Sequence, residues 1–150
     1  MSYIVQLCRP EHIRSIRDRL RVGDLREITC MGLTAKTALW ASYKHGLMAK
    51  AAIQDGKALA VWGCGGRPMG DVGNPWLLTA PEVEKLPVSM VKEAKRAIGE
   101  MAMVFPRLEN WVASEYAQAC KFVEVLGFTL DTPIPIGPHQ AMFRRFWLER

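Results

Sequence analysis

A few side chains in this 150-residue chain could take, give or attract a proton, so their spacing is the first thing to weigh. Cys64 follows Trp62-Gly63 at the end of an apolar run, where a substrate could approach, although a packed thiol is the plainer reading. His45 closes a helical stretch. Asp55 precedes Gly56 in what reads as a tight turn, where aspartate serves the turn itself. Glu115 stands in a first helical turn, a place where a carboxylate offsets the helix dipole. Tyr116 next to it reads as a packing or surface aromatic. No Cys–His–Asp or Ser–His–Asp constellation follows from these spacings.

Binding motifs are equally sparse. Gly63-x-Gly65-Gly66 has phosphate-loop flavour, but the following RPMGDVGNP cannot open the helix that a dinucleotide fingerprint needs, so a glycine-rich turn is expected. The four cysteines (Cys8, Cys30, Cys64, Cys120) and three histidines (His12, His45, His139) are scattered, without a paired motif, and no metal site is expected. The net charge of +5 is concentrated early. Residues 1–67 hold eleven Lys/Arg against five acids, and 68–150 hold nine against ten. Arg14, Arg17, Arg19 and Arg21 lie in HIRSIRDRLR. Nucleic-acid contact through Arg14, Arg17 and Arg21 is the sharper reading. An amphipathic helix with Ile13, Ile16 and Leu20 inward is the plainer one, because no aromatics are interleaved to stack on bases.

The elements that must position these residues follow from periodicity and breakers. A single domain over 1–150 is expected, long enough to bury roughly two-thirds of its unfolded surface. Residues 3–8 read as a strand, and Pro10 opens a helix expected to reach Arg21. Asp24 is expected to cap a short helix over 25–31, and Thr34 a third one that stops at Gly46. Apolar stretches 47–53 and 58–64 flank Asp55-Gly56, a strong hairpin signal. Residues 66–75 read as a loop and 75–81 as a strand, with Thr79 as a candidate cap for a turn at 81–84. Pro87 opens the longest helix, with Val91, Ala94, Ile98 and Met101 on one apolar face, and Pro106 ends it. A strand at 108–113 leads to Ser114, expected to cap a helix over 115–126 whose buried face is Ala119, Phe122, Val123 and Leu126. Gly127 allows the left-handed return to a strand at 128–130. The proline-rich 131–138 reads as a loop and 141–149 as a terminal strand. The order β-α-α-α-β-β-β-α-β-α-β-β predicts a mixed α/β arrangement on one sheet.

That order, with a strand-helix-Gly-Phe unit near the end, resembles the GNAT (N-acetyltransferase) fold. A closer resemblance is to small podophage proteins with a GNAT-like fold, described as internal virion or virion-assembly proteins. It spans roughly residues 62–150 and rests on GNPWLLTAPEVEKLP (73–87), FPRLENWV (105–112), KFVEVLGF (121–128) and FRRFWLER (143–150). The GNAT resemblance implies two splayed strands, Trp76–Thr79 and Leu108–Ala113, with a pantetheine arm paired in the gap and its pyrophosphate on amides at the start of the long helix. Leu78, Thr79, Ala80, Val88 and Ser89 would then hold acetyl-CoA.

The chain departs from that pattern in two places. The turn TAPEVEKLPVSMV has no glycine; Pro81 and Pro87 lack amide donors, and Glu82 and Glu84 oppose an anion, with Lys85 and Ser89 only partly compensating. Val123 stands where the family's thiolate-protonating tyrosine would be, and Tyr116 where its asparagine would be. The expectation is therefore a GNAT-fold phage or prophage protein without a cofactor, contacting phage structural or assembly proteins. A divergent acetyl-CoA-dependent N-acetyltransferase is the alternative. The N-terminus lacks a secretion-signal layout and no apolar run approaches the roughly 20 residues of a membrane span, so the bacterial host's cytoplasm, or the virion, is the expected location.

Overall fold

A computed structural model describes residues 2–150. The strands are β1 (Ile4–Leu7), β2 (Leu47–Gln54), β3 (Lys57–Gly65), β4 (Val72–Thr79), β5 (Arg107–Ala113), β6 (Thr129–Leu130), β7 (Ile134–Ile136) and β8 (Ala141–Glu149). The helices are α1 (Pro10–Ile16), α2 (Val22–Cys30), α3 (Ala35–His45), α4 (Pro87–Val104) and α5 (Ala117–Val125), with a 3-10 turn over Pro81–Lys85. One eight-stranded sheet runs in the order β1-β2-β3-β4-β5-β8-β6, and β7 pairs with β8 beside that path. This is the expected mixed α/β arrangement.

Local chemistry explains most boundaries. Asp55 and Gly56 both take positive φ, 51° and 75°, as the two-residue β2–β3 hairpin requires. Thr34 accepts the amide of Thr37 at 3.2 Å and caps α3. Gly127 adopts φ 100° and ends α5. β3 is buried from Ala58 to Cys64, as befits a strand covered on both faces. One core layer packs Ile13, Ile16 and Leu39 of α1 and α3 against Ala51 and Val61. The other packs Met90, Met101, Cys120 and Val123 of α4 and α5 against Leu59, Trp62, Leu108 and Phe146.

Several sequence expectations shift. α1 ends at Ile16, not Arg21, and Arg19 folds back to donate to the Ser15 and Ala58 carbonyls and to Glu82. α2 begins at Val22, so Asp24 lies inside its first turn and is buried instead of capping it. Thr79 is not a cap either: Ala80 occupies that position ahead of the 3-10 turn. Ser114 uses its amide on the Met142 carbonyl, and Tyr116 precedes α5. The supposed loop 66–75 already contains the start of β4, and 131–138 contains β7.

Among the described residues β4 and β5 are the only parallel neighbours, and their ladder is two pairs long: Val72 with Arg107 and Gly73 with Leu108. Beyond Gly73 the strands part. Phe105, fully buried, sits at this fork; a Cβ on Gly73 would come within 2.5 Å of its ring. Phe105→Ala is expected to cost about 3–5 kcal/mol, seen as a lower urea midpoint at unchanged m-value.

Candidate functional site

Parting strands leave main-chain donors and acceptors that must find other partners. In the antiparallel β3–β4 ladder, Ala80 donates to Leu59, so alternate residues 75, 77 and 79 turn their main-chain groups away from β3 and into the fork. By the same alternation, 109, 111 and 113 of β5 face the fork, because Ser114 donates to Met142 on the β8 side. Side chains take up nearly all of these groups. Asn110 Nδ2 donates to the Pro75 carbonyl at 2.8 Å, and Asn74 Nδ2 to the Glu109 carbonyl at 2.9 Å. Asn110 Oδ1 accepts the Trp111 amide at 2.9 Å.

Deeper in the fork the partners come from α2. The Thr79 amide donates to Asp24 Oδ2 at 2.8 Å, and the Thr79 carbonyl accepts the Arg21 amide at 2.8 Å. The Thr79 hydroxyl donates to Asp24 Oδ2 and accepts from Arg21 Nε, each at 2.6 Å. Across the gap, the Ala113 amide donates to Glu27 Oε2 at 2.6 Å. Arg21, Asp24 and Glu27 follow one another at intervals of three, so one helix face presents all of them. This face stands in for a missing strand. Leu77 stands apart, with both its N–H and its C=O pointing into the fork and no partner among the described residues; the Trp111 carbonyl is likewise unpartnered among them.

The electrostatics follow from burial. Asp24 is 5% exposed, and its second oxygen accepts the Tyr116 hydroxyl at 2.9 Å and lies 3.8 Å from Arg21. Burial, then the neighbouring Asp24 charge, raises the Tyr116 hydroxyl above its ordinary value and keeps it a donor. Arg21 lies 5.6 Å from the Tyr116 ring centre and 3.7 Å from Glu84. Desolvation pushes Glu27 up to about 7, against the pull of the Ala113 amide. Near neutral pH it is therefore a half-protonated acid, able to exchange a proton.

These residues form the polar end of a cavity of about 520 Å³ between the fork, α4 and α5. Its apolar walls include Leu77, Ala94, Ile98, Phe122 and Val123. The expected apolar faces of α4 and α5 thus line a space as much as they fill a core. The sequence candidates are elsewhere. His45, Asp55 and Glu115 are exposed, and none of them lines the cavity. Cys64 is fully buried, and burial pushes its thiol up to about 11, away from the nucleophilic thiolate. Tyr116 is a packing aromatic, set against Gly23, and its hydroxyl also joins the α2 network through Asp24. Among the described residues no group of three or more His, Cys, Asp and Glu side chains is placed to hold a metal ion.

The expected cofactor residues divide. Leu78 pairs with Val61 and faces β3; Ala80 spends its amide on Leu59; Thr79 is fully engaged by α2. Val88 and Ser89 keep first-turn amides of α4, while the Ser89 hydroxyl meets Tyr3 at 2.6 Å. Of the cations named for nucleic acid, Arg14 is exposed, Arg17 lies 3.4 Å from Asp18, and Arg21 is committed to Thr79.

No protein-family model matches this sequence, and no curated protein matches it. Solved structures do. Ard1 from Thermoplasma volcanium superposes with a TM-score of 0.75 at 10% identity, covering 99% of this chain and 98% of that one. A GNAT-superfamily phosphinothricin acetyltransferase from Sinorhizobium meliloti, solved with AcCoA, gives 0.73 at 15% identity over 99% and 89%. The ribosomal-protein-S18-alanine N-acetyltransferase of Escherichia coli gives 0.68 at 15% over 99% and 94%. The fold is GNAT-like.

Acetyl-CoA held as the fold implies would meet several obstacles among these residues. An arm laid along the fork would meet a Thr79 main chain that Asp24 and Arg21 already occupy. Its phosphates would meet a turn where Pro81 and Pro87 have no amide, Val83 and Leu86 donate internally, and Glu84 contributes a carboxylate. Val123, 8% exposed, has no proton for a departing thiolate.

The raised acid of Glu27 has a definite pH signature. Folding holds its proton more tightly than the unfolded chain does. This contribution is full below about pH 4.5 and is lost as pH rises to about 7, up to about 3 kcal/mol in all. Glu27→Gln keeps an acceptor for Ala113 and carries no charge, so it should raise Tm at pH 8 and flatten stability between pH 5 and 7.5. Calorimetric melts across that range check it; an unchanged pH slope contradicts the assignment.

Proposed function

We propose that this chain is a GNAT-fold protein that works by binding, without acetyl-CoA turnover, in the assembly or interior of a phage particle. The observation that supports it most is the double occupancy of Thr79: Asp24 takes its N–H and Arg21 its C=O. A cofactor arm would have to displace both contacts, a cost that binding at its far end would have to offset. It would gain little at the far end, where the 3-10 turn offers prolines and carboxylates in place of a glycine cradle. The particle setting is carried over from the sequence expectation for residues 62–150 alone.

A second reading, a divergent acetyl-CoA-dependent N-acetyltransferase, is favoured by the fold neighbours and by Glu27. That side chain, pushed up to about 7 beside an apolar cavity, has the acidity of a general base for an amine. Here the acid that would protonate the thiolate remains unassigned, because the matching position is Val123.

Titration calorimetry with acetyl-CoA separates the readings. The binding reading expects no saturable heat and no rise in Tm at millimolar acetyl-CoA or CoA. Saturable binding together with thermal stabilisation supports the enzyme. Glu27→Gln should then remove turnover while leaving binding in place.

A further inference from the structure

Beyond the binding reading, on which it rests, the fork identifies a class of partner. A carboxylate oxygen on the Thr79 N–H and an amide N–H on its C=O reproduce what a neighbouring strand's main chain would offer. Glu27 does the same for the Ala113 N–H on the facing strand. Between these substitutes, Leu77 keeps both main-chain groups unpaired. Main-chain donors and acceptors that face each other from β4 and β5 are the groups one added extended strand would pair with.

The substitute is lightly attached. Asp24 and Ile28 are the only buried residues of α2, while Val22 is 71% and Leu25 43% exposed. Few buried apolar contacts mark a segment that opens at low cost relative to global unfolding. Polar contacts to Thr79, Tyr116 and Ala113 tie α2 to the fork. Such contacts can be exchanged one for one with those of an incoming main chain.

Charge selects among extended chains. Although the whole protein carries +5, the cavity is lined by one cation, Arg21, against Asp24, Glu27, Glu84 and Glu93. Arg21 is shared between Asp24 and Glu84, and Glu93 lies 3.9 Å from the exposed Arg96. The lining is still acidic, so it opposes phosphates and attracts Lys or Arg. The apolar walls and the volume of about 520 Å³ suit aliphatic side chains at alternate positions.

We propose that the fork is a docking groove for an extended polypeptide segment, apolar at alternate positions and carrying a basic residue, which displaces α2 from Thr79 and pairs with Leu77. The segment adds a strand between β4 and β5, and the Arg21–Asp24–Glu27 face is the lid that keeps the groove closed until it arrives.

Gly23 supplies the wedge for a test. A Cβ there would lie 2.3 Å from the Tyr116 ring, so Gly23→Ala pushes the lid away without deleting any polar group of the groove. Tyr116→Phe is the gentler variant, removing only the hydroxyl bond to Asp24. A random octapeptide library is panned against the full-length protein, with titration of the enriched peptides and of acetyl-CoA. The expected peptides alternate apolar residues with Lys or Arg and slow exchange of the Leu77 amide. They bind about tenfold more tightly to at least one of the two variants, because the closed lid no longer lowers their apparent affinity. N-methylation of alternate main-chain nitrogens abolishes their binding. No enrichment above an unrelated protein overturns the groove, as does binding that survives N-methylation or leaves Leu77 exchange unchanged. Acetyl-CoA binding with no peptide enrichment overturns the binding reading as well, whereas a null result with both removes only the groove.

Discussion

Two parallel strands that separate after two residue pairs create a debt of unpaired main-chain groups, and the rest of this structure is organised around meeting it. Buried N–H and C=O groups left without partners cost on the order of 1–3 kcal/mol each. Water or a bound chain could satisfy them. Here Asn74, Asn110, Asp24, Arg21 and Glu27 do so from within the protein. The fork is held open by geometry and closed by side chains.

This choice has consequences at every level. Asp24 could not be buried without partners, and the Thr79 amide and hydroxyl, the Tyr116 hydroxyl and the Arg21 guanidinium meet that need. Glu27 receives only one hydrogen bond, so desolvation dominates and its proton is held near neutral pH. The site is thus both polar and poorly solvated, next to apolar walls. The fold is GNAT-like, and Thr79 on the open edge of β4 is already bonded by Asp24 and Arg21.

What the sequence made legible was local. Asp55-Gly56, Thr34, Pro87 and Gly127 announce a turn, a cap, a helix start and a helix stop within a few residues of where each acts, and these expectations match the structure. The α4 face at Val91, Ala94, Ile98 and Met101 was readable from its period, although all four line a cavity. The fork was accessible only through the GNAT resemblance, since nothing in β4 or β5 alone marks where a ladder stops. The α2 network was not readable. Arg21, Asp24 and Glu27 at intervals of three look like an ordinary solvated helix face, and Asp24 before Leu25 looks like a cap. Their partners lie far away: 55 residues separate Asp24 from Thr79, and 86 separate Glu27 from Ala113. The spacing itself was the one available signal, because three polar side chains on one face of a helix with little apolar surface invite the question of what they bond.

The central claim is that Asp24, Glu27 and the Arg21 amide, and no cofactor, hold the Thr79 and Ala113 main chain in the fork. A crystal structure grown with saturating coenzyme A addresses it directly. The account predicts Asp24 and Arg21 still on the Thr79 main chain, with no pantetheine density between β4 and β5. Density for an arm paired with Leu77 and Thr79, with α2 moved aside and a diphosphate at Val88 and Ser89, would contradict it.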